Sequence, residues 1–99
     1  MSSISLTLNY NPPFKDLINK TKESYEVKKP FTMANLISVM EDKYGEKMRE
    51  LVWDAKTEDG FDERLIIILN GNAYREENFL ETQLSDGDKI WFAHTFFGG

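Results

Sequence analysis

In "ISLTLNY" the apolar residues Ile4, Leu6, Leu8 and Tyr10 fall on one side of an extended chain and Ser5, Thr7 and Asn9 on the other. That period of two predicts a half-buried strand. The next stretch, "NPPFKDLINKTKES", has paired prolines and mixed polarity and reads as a loop with a helical turn around Lys15 to Asn19. "YEVKK" then resumes an extended pattern and predicts a second strand. From Thr32 the period changes. Met33, Leu36, Ile37, Met40 and Tyr44 recur at helical spacing, Thr32 stands where an N-cap hydroxyl is needed, and Gly45 stands where the helix should stop. "EKMRELVW" predicts a short further helix through Met48, Leu51 and Val52. The polar and acidic "DAKTEDGFDE" predicts a solvated loop, and its carboxylates lack the alternating ligand spacing of a calcium loop. "RLIIILN" is a β-branched apolar run that meets Asn70-Gly71, a pair suited to a tight hairpin turn into "AYRE". After a connection through Phe79, Leu80 and Leu84, the turn "SDGD" introduces a last strand, "KIWFAHT".

This order, ββαβββ, predicts an α+β domain: a mixed sheet of four to five strands with one main helix packed on one face. The first strand then shows solvent the polar positions Ser3, Ser5, Thr7 and Asn9. The later strands do not follow suit. Both sides of "LIIIL" are apolar, and Trp91 points away from Ile90 and Phe92 because successive side chains alternate. Ile66, Ile68, Trp91 and Ala93 are therefore expected to form an apolar patch on the uncovered face, unless a long loop folds over it.

Composition narrows the setting. The chain has 99 residues, 40% of them hydrophobic, enough for one modest core. It has no cysteine, which removes thiolate metal sites, iron–sulfur ligation and a cysteine nucleophile, and which suits a reducing compartment; the cytoplasm is the expected location. No apolar run approaches the roughly 20 residues that span a bilayer, and no leader sequence is visible, so no membrane association is expected. The net charge of −5 repels nucleic acid and anionic lipid and favours a basic protein groove.

The terminus "HTFFGG" carries the candidate chemistry. Residues 1–95 are expected to fold, with residues 96–99 as an extended flexible tail whose Gly99 carboxylate stands on the order of 15 Å from the domain. Glycines without a Cβ let the backbone enter a narrow channel. The carboxylate, ionised above about pH 3.5, is a poor electrophile until activated, and nothing in the chain resembles a phosphate-binding glycine loop that would do so. Phe96 shares a face with Ile90 and Phe92 and suits the core, whereas Phe97 is the better candidate for a partner contact.

Taken together, the opening strand, the helix in "FTMANLISVMEDKYG", the "LNG" hairpin, "TQLSDGDKIWF" and the terminal "GG" resemble the MoaD/ThiS family of β-grasp sulfur carriers, relatives of ubiquitin. The specific part is L-x-D-G-D followed by one strand and Gly-Gly. The resemblance implies that an ATP-using, ubiquitin-activating-like adenylyltransferase adenylates Gly99, that the glycyl group becomes a thiocarboxylate, and that the tail, Phe96 to Gly99, enters a sulfur-accepting enzyme such as the large subunit of molybdopterin synthase. It implies no cofactor or metal bound to this chain, Gly98 and Gly99 as the functional pair, and the last strand with the outer sheet face as the partner surface. Family members carry a small or β-branched residue before the glycines. Here "HTFF" requires a wider or more apolar channel mouth.

Other readings share the fold: a ubiquitin-like modifier conjugated to lysines or serving tRNA thiolation, a thiamine-type sulfur carrier, and an adaptor that uses the Trp91 face alone. An independent enzyme is disfavoured. His94, the single histidine, shares a face with Phe92 and Phe96, where packing or hydrogen bonding is the ordinary role. No serine has a visible activating partner. Asp86 and Asp88 flank a turn glycine, where carboxylates cap backbone N–H groups. Lys20, Lys22, Lys28 and Lys29 suit a solvated sheet edge.

Overall fold

The structure is a computed structural model that describes residues 3–58, 60–73 and 78–95. Among the described residues nine elements follow one another: β1 (Ser3–Tyr10), α1 (Phe14–Ile18), β2 (Lys22–Lys28), α2 (Met33–Tyr44), α3 (Glu46–Val52), β3 (Leu65–Leu69), β4 (Asn72–Ala73), a 3-10 turn (Phe79–Glu81) and β5 (Lys89–His94). The strands form one sheet in the order β2-β1-β5-β3-β4. β1 and β5 run parallel and the other neighbours antiparallel, so the sheet is mixed.

Alternation in sequence becomes alternation in burial. Ile4, Leu6, Leu8 and Tyr10 of β1, Leu65 and Ile67 of β3, and Ile90 and Phe92 of β5 all point to one side. There they join Leu36, Ile37 and Met40 of α2, Met48 and Val52 of α3, and Phe14 of α1 in a single core. The helices thus occupy one face, because only that face offers them a continuous apolar surface.

Local chemistry sets the boundaries. Thr32 Oγ1 accepts from Asn35 N–H at 3.2 Å while Asn35 Oδ1 accepts from Thr32 N–H at 3.0 Å, a reciprocal cap that opens α2. Gly45, with φ +77°, separates α2 from α3, and its N–H donates to Glu41 O at 2.7 Å. Asn70 (φ 51°) and Gly71 (φ 89°) both take positive φ, as a two-residue hairpin between β3 and β4 requires. In the last turn Asp86 accepts from Ser5 N–H at 2.7 Å, and Asp88 accepts from Ser85 N–H at 2.8 Å and from the Asn70 amide at 2.9 Å. These aspartates cap backbone and tie turns together, as their placement beside Gly87 suggests.

Two expectations need correction. The second strand spans Lys22–Lys28 and so starts before "YEVKK". Glu23 lies on its core side, where an unpaired carboxylate would be costly, but this one is fully partnered. It accepts from the Tyr10 hydroxyl at 2.6 Å, the Tyr44 hydroxyl at 3.0 Å, and Lys20 and Lys43 at 3.1 Å each. Nor is "DAKTEDGFDE" wholly solvated. Phe61 and Asp62 are buried, and the Phe61 ring stacks on Trp53 with centroids 4.8 Å apart. The end of this loop closes the core below α3. Of "AYRE", Ala73 is in β4 and residues 74–76 lie outside the described residues.

Candidate functional site: the outer sheet face and the end of the last strand

On the face away from the helices, cross-strand register pairs Ile66 with Ala93 and Ile68 with Trp91. The four residues expected to form a patch are therefore a contiguous block on β3 and β5, and none of them belongs to the helix-side core. Their exposure differs. Trp91 is 40% exposed and Ile66 and Ile68 are half-buried, whereas Ala93, at 9%, is buried. Ala93 thus forms part of the floor and does not itself present a contact. A lone methyl beside isoleucine and tryptophan has little surface to show.

The other half of the same face is polar. Asn9 lies opposite Trp91 and Thr7 opposite Lys89 in the parallel β1–β5 register. Lys22, Ser24 and Glu26 of β2 stand beyond them, paired with Asn9, Thr7 and Ser5. The face is divided lengthwise, apolar along β3–β5 and hydrophilic along β1–β2. A partner that buries the apolar half meets a polar rim on the β1–β2 side.

β5 carries the block straight to His94 and Thr95, the last described residues, and this end is held from two directions. Thr95 N–H donates to Arg64 O at 2.8 Å, extending the β3–β5 pairing past the last strand residue. On the helix side, His94 Nε2 lies 2.7 Å from Leu51 O at the end of α3. A carbonyl can only accept, so the ring donates from Nε2. The same ring meets Phe14 edge-on at 5.2 Å. His94 is a packed, hydrogen-bonded residue, as its face suggests, and its donating nitrogen is already engaged.

Asp62 and Arg64 brace the neighbouring segment. The carboxylate accepts from Arg64 Nε at 3.0 Å, from its terminal nitrogen at 2.9 Å and from its backbone N–H at 2.9 Å. The guanidinium bond holds Asp62 down at about 2, against the upward push of burial. Sequence reasoning missed this brace because it placed Asp62 in a solvated loop; the Asp-x-Arg spacing just before an apolar strand was the available signal. It also missed Glu23. The signal there was a carboxylate spaced by two from Tyr25 and Val27, hence on the apolar side of an extended segment.

Phe96, Phe97, Gly98 and Gly99 lie outside the described residues. Among the described residues no group of three His, Asp or Glu side chains is gathered to hold a metal ion, and no helix is long and apolar enough to cross a membrane.

No family model matches the chain, and no curated protein matches it in sequence. Solved structures do match in three dimensions. The small archaeal modifier protein 1 of Methanosarcina acetivorans superposes with a TM-score of 0.76 at 18% identity, over 98% of both chains. A putative molybdopterin converting factor, subunit 1, from Pyrococcus furiosus gives 0.73 at 22% identity, over 94% of this chain and 99% of that one. The BexX/CysO complex of Amycolatopsis orientalis contains a chain that gives 0.68 at 20%, over 95% and 99%. At these identities the likeness establishes the architecture: this chain has the ubiquitin-like β-grasp fold.

Proposed function

We propose that this protein is a sulfur carrier whose reactive group is the Gly99 α-carboxylate, and that molybdopterin synthesis is the destination of the sulfur. A carboxylate oxygen attacks the α-phosphorus of ATP on an activating adenylyltransferase, giving a glycyl adenylate and pyrophosphate. A hydrosulfide equivalent then adds to the carbonyl carbon and AMP leaves, yielding a thiocarboxylate. The partners do the catalysis; this chain supplies the electrophile and brings it to them. Gly98 and Gly99 keep the reacting backbone narrow, Phe97 contacts the channel mouth with Phe96 behind it, and Trp91, Ile66 and Ile68 dock over the Ala93 floor. The location we propose is the cytoplasm.

One observation carries the reading. The apolar block sits on β3 and β5, and β5 runs on to Thr95, so a partner gripping Trp91 also fixes the residue from which the last four depart in sequence. The similar structures described as a molybdopterin converting factor subunit and as half of a BexX/CysO complex support it. A modifier role, in which a lysine amine captures the activated glycyl group, is the second reading, supported by the similarity to an archaeal modifier protein.

The test is intact mass spectrometry after incubation with the activating enzyme, ATP and sulfide. Exchange of one oxygen for sulfur adds about 16 Da, localised to the last residue. A chain lacking Gly99 should stay folded and gain nothing; sulfur uptake by that truncated chain rejects the proposal. Glycyl-glycine remnants on the lysines of other proteins, without thiocarboxylate, favour conjugation instead.

A further inference from the structure

Three features play no part in that reading, and they meet along one border of the sheet: an open strand edge, an exposed valine and a group of lysines. β2 pairs with β1 on one side, and no described strand occupies the other. In an antiparallel ladder alternate residues direct their backbone groups to opposite edges. Tyr10 N–H donates to Thr21 O at 2.9 Å, which sets the phase. Glu23, Tyr25 and Val27 turn their backbone toward β1, and Lys22, Ser24, Glu26 and Lys28 turn theirs outward.

Beside this edge runs α2. Lys43 Nζ sits 5.2 Å over the Tyr25 ring and 3.1 Å from Glu23, so this flank of α2 faces β2. Val39, one turn earlier on the same flank, is 37% exposed. Tyr25 and Val27, on the helix side of β2, are half-buried. An apolar floor thus adjoins a row of outward N–H and C=O groups. Lys22 and Lys28 are exposed on the outer side of the same edge and Lys29 is exposed just beyond it, with Glu26 the exposed acid between them and Asp42 the exposed acid of α2 near Val39, a locally positive border on a chain of net charge −5.

We infer that the β2 edge and the adjoining flank of α2 form a docking strip for an extended, acid-flanked segment of a partner protein, which adds to the sheet beside β2. Main-chain hydrogen bonds supply the pairing, and alternate side chains of the added segment enter the strip beside Tyr25, Val27 and Val39. Its carboxylates lie near Lys22 and near Lys28 and Lys29, at the two ends, because Glu26 repels an acid in the middle. The lysines have a double effect. They repel the β2 edge of a second copy, as edge lysines do, and they attract an acidic strand, so the same charges both guard the edge and choose its partner. The strip shares no residue with the Trp91 block, and its occupancy does not depend on the chemistry of Gly99.

The experiment uses the full-length protein, labelled with nitrogen-15, titrated with the synthetic peptide Asp-Asp-Ile-Thr-Val-Thr-Ile-Asp-Asp and with a version whose aspartates are replaced by lysines. Saturable amide shifts along Lys22–Lys28 and around Val39 and Lys43 with the acidic peptide alone are the expected result. The double variant Lys22→Glu, Lys28→Glu should weaken binding by about tenfold or more. Ser24→Pro removes an outward donor without touching the β1 ladder and should abolish binding, with the undisturbed remainder of the amide spectrum reporting the fold. Equal binding of both peptides, shifts centred on Trp91 and Ile68, self-association through β2, or no shift at millimolar acidic peptide would each overturn the inference.

Discussion

Glu23 turns its side chain toward the core from an edge strand and remains charged there. Burial pushes its carboxyl upward, but donation from Tyr10, Lys20, Lys43 and Tyr44 outweighs burial and brings it to about 2, below its ordinary 4.5. In return, burial and the bond to Glu23 push the Tyr10 phenol up. The sign for stability follows from linkage: a carboxyl with a depressed folded value stabilises fully above about 4.5, and that stabilisation is lost as pH falls toward about 2. Asp62, brought from 3.8 to about 2, adds a parallel loss over nearly the same window. Glu23→Gln should therefore cost about 1–3 kcal/mol at neutral pH and flatten part of the acid-side decline, leaving the part due to Asp62. Urea unfolding at several pH values between 2 and 5 measures this. A decline as steep in the variant as in the parent would mean that Glu23 is not its source. Two neighbouring residues of the sheet offer a further contrast. Ile67, buried against the helices, should cost about 2–5 kcal/mol when cut to alanine, while Trp91, on the opposite face, should cost under about 1 kcal/mol. Comparable losses at the two positions would contradict the two-faced sheet.

At the scale of elements, the junction of α2 and α3 depends on one backbone conformation. Gly45 ends the first helix and begins the second at φ +77°, ψ −157°. A Cβ there would meet nothing within 4 Å, so Gly45→Ala should destabilise through backbone strain alone, by about 1–2 kcal/mol. An unfolding midpoint unchanged by the substitution would show that the junction relaxes freely. That glycine, like the Thr32 cap, the Asn70-Gly71 turn, and the alternations of β1 and β5, was legible in the sequence because each is a local rule written in adjacent residues. The beginning of β2 was not legible. Glu23 reads as polar, and only the meeting of Tyr10, Tyr44 and Lys43 from distant positions makes it acceptable on the core side. Phe61 and Asp62 were hidden for the same reason, since a single aromatic in an acidic loop shows its role only when Trp53 is there to stack on. The apolar block was half legible: periodicity put its four residues on one face, but the pairing of Ile66 with Ala93 and Ile68 with Trp91, and with it the burial of Ala93, needed the register.

Across the whole molecule, charge and apolar surface are separated in a way that would give them different parts in the proposed association. The net charge of −5 acts at a distance, while Trp91, Ile66 and Ile68 act only on contact. In the association proposed above, long-range attraction to a basic groove on the activating enzyme would accelerate encounter and would be screened by salt, because the Debye length falls from about 14 Å to about 4 Å between roughly 50 and 500 mM salt. Contact with an apolar block sets how long the complex lasts and is far less sensitive to salt. Raising salt over that range should lower the association rate constant several-fold, by up to about tenfold, and leave the dissociation rate nearly constant. Trp91→Ala should do the reverse, raising dissociation by about tenfold or more with little change in association. Applied together, the two effects should multiply, since they touch separate steps. Surface-based kinetics with the activating enzyme reads both constants. Salt acting chiefly on dissociation would place charged pairs inside the contact itself, and the polar β1–β2 half of the face would then be the part that binds.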